Sequence, residues 1–191
     1  MKAAAILLAT ALLAAFPWWL DNAYVLHIAA MIVIVIPLAL GMNLMLKIGQ
    51  LTIALPAFMG IGAYGAALLS MRAGWPPALA LLAAGAIAML VALVVTPFFL
   101  RVKGVYFVLL TYAFGQVVNL VFQEWVSLFG GNNGLYGIPK LLLFGYRLTD
   151  AGDYYLAGLV FAALVYGAMR AMERSDIGAI LQSLHENEML T

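Results

Sequence analysis

Six stretches of 16 to 25 residues carry no Asp, Glu, Lys or Arg: 3–20, 23–46, 51–71, 76–100, 105–123 and 154–169. A helix needs about 20 predominantly apolar residues to cross a bilayer. A water-soluble domain has a surface to solvate, and roughly a quarter of its side chains are normally charged. Here 9% of the 191 residues are charged and 66% are hydrophobic. The stretches therefore predict transmembrane helices, and the expected fold is all-α, a polytopic bundle of about six spans in a lipid bilayer. Trp18, Trp19, Tyr24, Trp75, Tyr106, Trp125, Tyr154 and Tyr155 fall near the span ends, where aromatic side chains sit at the headgroup level.

The connections alternate in charge. If the spans zigzag, Lys2, Lys47, Arg101, Lys103, Arg170 and Arg174 lie on one side, and Arg72, Lys140 and Arg147 on the other. The excess of basic residues marks the first side as cytoplasmic. Both the N-terminus and the C-terminal tail are then expected there. Residues 1–172 read as the membrane region, with 129–153 as an outward-facing loop, and 173–191 as a cytoplasmic tail. Within the tail Ile177, Ile180, Leu181 and Leu184 recur at helical spacing, which predicts a short amphipathic helix against the membrane or a partner. The first span has a competing reading. Lys2 followed by AAAILLATALLAAF resembles a signal peptide, but the apolar run continues to Leu20 without a convincing cut site.

Several chemistries are excluded. The chain has no cysteine, hence no disulfide, thiol nucleophile or thiolate metal site. A net charge of +1 gives no electrostatic case for nucleic acid. His27 and His185 are far apart and no carboxylate pair falls within a span, so no catalytic residue, metal site or cofactor is expected. His27 reads as a packing histidine rather than part of a proton relay. The loop GGNNGLYG superficially resembles a phosphate cradle. It follows no buried strand and lacks the Lys-Ser/Thr pair that nucleotide binding requires.

Two features inside the membrane are organised. Tyr112, Gln116, Asn119 and Gln123 fall at i, i+4, i+7 and i+11, on one face of the fifth span. They either hydrogen-bond between helices, at about 0.6 kcal/mol per bond, or face a polar path or a second membrane chain; the two are compatible. In the third span Gly62, Ala66 and Ser70 are four apart, a small-residue face that lets helices approach closely. Pro56 removes a backbone donor and predicts a kink or break there, with a cavity beside it as a second reading.

Three segments together resemble one family. They are NLMLKIGQLTIALPAFMGIGAYGAALL, then RVKGVYFVLLTYAFGQVVNLV with GGNNGLYGIP, then ERSDIGAILQSLHENE. These marks, in this order over roughly residues 40–188, are similar to the membrane permeases of branched-chain amino acid ABC importers, the LivH/LivM family. The KGVYF and GGNNGLYGIP pairing is more like the LivM branch. The resemblance implies a permease subunit in a bacterial inner membrane, without enzymatic activity of its own. Its implied partners are a second permease chain, two cytoplasmic ATPase subunits and an extracytoplasmic substrate-binding protein. It also implies that the tail is a coupling helix docking into the ATPase through Ser175, Gly178, Leu181, Leu184, Glu186, Asn187 and Glu188. The polar face of the fifth span and Pro56 would then lie on the translocation path or the permease interface. Ala54 and Leu55 stand where the family usually has Gly and a polar residue, and Ala179 and His185 replace arginines common in the tail. Family members continue with further spans, so the chain resembles the N-terminal part of a permease. The rival expectations are a secondary transporter acting alone on an ion gradient and a truncated membrane protein that transports nothing.

Overall fold

The computed structural model describes residues 22–143 and 146–175. The first predicted span and the tail beyond Ser175 lie outside these residues. The described chain is helical almost throughout. Helix α1 runs Ala23–Lys47, α2 Leu55–Arg72, α3 Pro77–Phe99, α4 Val105–Glu124, the one-turn α5 Val126–Phe129, and α6 Ala151–Glu173. A 3-10 turn at Gly131–Asn133 follows α5. Between it and α6 lies a two-residue antiparallel hairpin, β1 (Leu142–Leu143) and β2 (Tyr146–Arg147), which pairs Leu142 with Arg147. Helices α1, α3, α4 and α6 are each long and apolar enough to cross a membrane. The chain is an all-α, multi-pass membrane protein.

Local chemistry sets the helix ends. The Asn22 side-chain oxygen accepts the backbone N–H of Tyr24 at 3.1 Å and of Val25 at 3.5 Å, capping the orphan donors at the start of α1. Its other end closes at Gly49, whose φ is +78°. The N–H of Gln50 bonds the Met45 carbonyl and that of Gly49 the Leu46 carbonyl, both at 3.0 Å, the crossed pair of a glycine-terminated helix. Asp150 and Asp153 form a capping box at α6. One carboxylate oxygen of Asp153 accepts the N–H of Thr149 at 2.9 Å and of Asp150 at 3.2 Å.

The chain divides into a unit of residues 42–148 and a unit from the flanking segments. In the flanking unit Ala30 and Val33 of α1 are buried with Tyr155 of α6, beside Leu156 and Leu159. A Cβ on Gly158 would stand 3.1 Å from the Val33 side chain, so the glycine permits that approach. In the 42–148 unit, α2 meets α3 through small residues and α4 through rings. Ala80 and Ala84 of α3 are fully buried, and a Cβ on Gly65 would lie 3.4 Å from that of Ala84. Against α4, Phe58 meets Phe114 with ring centroids 5.3 Å apart, and Tyr64 meets Phe122 at 4.4 Å. Phe99 at the end of α3 meets Phe107 and Phe114 edge-on. Leu82, Val94, Leu109 and Leu164 are largely exposed, the pattern of a molecule whose solvent is lipid.

Three predicted boundaries move. The third span, expected over 51–71, becomes helical only at Leu55. Its 18 residues hold three glycines, Pro56 and Arg72, and α2 is not among the helices apolar enough to cross. The sixth span, expected over 154–169, is Ala151–Glu173, lengthened by its capping box and by the Arg170–Glu173 ion pair at 3.3 Å. The outer loop, expected over 129–153, starts on the last residue of α5 and ends inside the first turn of α6.

Candidate functional site

Pro56 does not kink a helix; it lies in the first turn of α2, where its missing donor is one that no helix would use. The break precedes it, in the non-helical stretch 50–54. A backbone of this kind near hydrocarbon must find its partners within the protein. Two threonines supply them. Thr52 Oγ1 accepts the N–H of Ala54 at 3.2 Å. Thr111 Oγ1, on α4, accepts the N–H of Ile53 at 3.2 Å and donates to the Val108 carbonyl at 2.9 Å. Thr111 has no exposed surface, and Thr52 and Ala54 are buried too. The broken segment is thus fastened to α4.

Thr111 immediately precedes the polar face of the fifth span, and the two point in different directions. Phe107 and Thr111 are the buried residues of α4, with Phe114, Gly115, Val118 and Phe122 half-buried. Tyr112, Gln116, Asn119 and Gln123 are all exposed, Tyr112 by 50%. None of their side chains is hydrogen-bonded to another described residue. They do not glue this chain's own helices together. Four hydrogen-bonding side chains are presented outward from a membrane helix, where each unsatisfied polar group is costly.

The end of α4 is closed by a compact corner. The Arg72 guanidinium, at the end of α2, donates to the carbonyls of Ser127 and Leu128. Tyr64, Phe122, Trp125 and Phe129 stack there at centroid separations of 4.4 to 6.1 Å. Gly130 and Gly131 carry φ of +81° and +63°, and a Cβ on Gly130 would fall on the Gly134 carbonyl. The glycines of GGNNGLYG serve this turn.

The small-residue face requires a correction. A Cβ on Gly62 would meet nothing within 4 Å, so Gly62 packs against no described part of the chain. Ala66 is half-buried and Ser70 buried. Close approach instead belongs to Gly65, against Ala84, and to Gly60, where a Cβ would be 3.0 Å from the Phe122 ring. The rotation is one residue and two residues around the helix, too fine for spacing among seven small side chains to resolve. Of the coupling tail only Ser175 is described; its hydroxyl donates to the Met172 carbonyl at 2.6 Å, closing the end of α6. Gly178, Leu181, Leu184, Glu186, Asn187 and Glu188 lie outside the described residues. Thr111 and Arg72 escaped the sequence reading: the first is an isolated hydroxyl in an apolar run, the second registered only as a loop charge.

Residues 24–191 match the sequence family described as "Branched-chain amino acid transport system / permease component". The chain is 28% identical over 199 residues to the high-affinity branched-chain amino acid transport system permease protein LivM of Salmonella typhimurium. It is equally similar, 28% over 199 residues, to LivM of Escherichia coli. Each alignment covers 92% of this chain and 47% of the relative, so the chain spans about half the length of the curated relatives it matches. No solved structure matches it.

Proposed function

The chain belongs to the permease family of branched-chain amino acid transport systems, and from that membership we propose that it is a membrane-spanning subunit of an ATP-driven importer. Its cargo class is branched-chain amino acids or closely related amino acids and amides. The observation that supports this reading best is the face of Tyr112, Gln116, Asn119 and Gln123, exposed and without a described partner in its own chain. Such a face suits a polar path or a boundary with a second permease chain, and the broken segment before Pro56, held by Thr111, lies against the same helix.

The chain carries no catalytic group in this reading. ATP is hydrolysed by two cytoplasmic partner subunits, and an extracytoplasmic binding protein delivers the substrate. The charge bias places Lys47, Arg101, Lys103, Arg170 and Arg174 on the cytoplasmic side of a bacterial inner membrane. The tail then leaves α6 on the side where an ATPase docks, with Ser175, Gly178, Leu181, Leu184, Glu186, Asn187 and Glu188 as its contacts. Substituting Gly178→Arg places a long cation in that helix. The expected outcome is loss of co-purification with the ATPase while membrane insertion persists. Unchanged co-purification removes the coupling assignment.

A further inference from the structure

The exposed face of α4 has a finer period than a polar patch needs. Leu109, Tyr112, Gln116, Asn119 and Gln123 alternate steps of three and four residues, which is the 3.5-residue repeat of positions a and d in a left-handed helix pair. All five are exposed. A water-lined wall needs only polarity, whereas a straight seam at this spacing is what a second helix crossing at about +20° requires. The seam is uncharged. Its amides and phenol each both donate and accept hydrogen bonds, so every polar member can pair with a residue identical to itself.

That self-complementarity identifies the occupant. Two copies inserted in a membrane with the same topology are related by a two-fold axis along the membrane normal. Their α4 helices then run parallel, and each seam residue meets its own counterpart. Lys, Arg, Asp or Glu at any of the five positions would be repelled by its twin; none occurs. We infer that α4 pairs in register with α4 of a second copy of this chain, through Tyr112, Gln116, Asn119 and Gln123. This rests on the reading of that face as a permease boundary and names the chain across it.

The chain contains no cysteine, so single-cysteine variants report without background. Tyr112→Cys, Gln116→Cys, Asn119→Cys, Gln123→Cys and Val117→Cys are each expressed in membranes and oxidised with copper phenanthroline. Val117 is exposed by 59% but lies about 130° around the helix from the seam. Disulfide-linked dimers are expected at the four seam positions and at least tenfold less at Val117. Absence of dimers at both Gln116→Cys and Asn119→Cys, or equal yield at Val117→Cys, overturns the pairing. Labelling the same variants with a water-soluble maleimide separates the two readings. Labelled seam cysteines without dimers refute the pairing and leave a polar path. Seam cysteines that neither label nor crosslink to any chain refute both.

Discussion

One hydroxyl carries much of the break between α1 and α2. Thr111 Oγ1 accepts from Ile53 and donates to Val108, with no access to solvent. Thr111→Val keeps the shape but leaves the Ile53 N–H buried and unpaired, a loss of about 1–3 kcal/mol. Thr111→Ser keeps the oxygen and should cost much less. Thermal unfolding in detergent, with backbone hydrogen exchange at Ile53, checks both. Equal melting temperatures for Thr111→Val and the parent would mean that the broken segment is held by packing alone. Sequence reading finds the Gln116 and Asn119 face because polar side chains repeated along one helix face stand out against an apolar background. It misses Thr111 because a single hydroxyl in such a run has no period, and its partner lies 58 residues away.

At the scale of elements, the contact between α2 and α3 tests the corrected packing face. Gly65 lies against Ala84, whereas Gly62 faces open space. Gly65→Leu must push α2 and α3 apart and should destabilise the protein by about 1–3 kcal/mol. Gly62→Leu should leave the melting temperature nearly unchanged or raise it, since a helix-interior glycine is itself unfavourable by about 0.5–1 kcal/mol. The reverse order would show that α2 is rotated from the register described. Helix existence was legible from the charge-free runs, but helix ends were not. Leu51 to Leu55 is as apolar as a span, yet the Gly49 termination and the Pro56 start decide the backbone there, and hydropathy registers neither. The extra turn of α6 is written in Asp150 and Asp153, which charge counting assigns to a loop.

Across the whole molecule, sequence resemblance reached further than geometry. The order of the three motifs over residues 40–188 sufficed for the family, while the coupling residues from Gly178 onward fall outside the described chain. The lengths of α2 and α3 have a consequence for where this protein can reside. Their 18 and 23 residues correspond to about 27 and 35 Å, on either side of a hydrocarbon core of about 30 Å. Two neighbouring helices of one unit thus favour different bilayer thicknesses. A thin bilayer suits α2 and tilts α3; a thick one suits α3 and draws the 50–54 stretch into hydrocarbon, at fractions of a kcal/mol per ångström of hydrophobic mismatch. In nanodiscs of increasing acyl length, amide exchange at Leu51 and Thr52 should slow as headgroup water recedes, while the Thr111-bound amide of Ile53 changes least. The fastening to α4 would then act as a fixed anchor against which the membrane adjusts its own thickness.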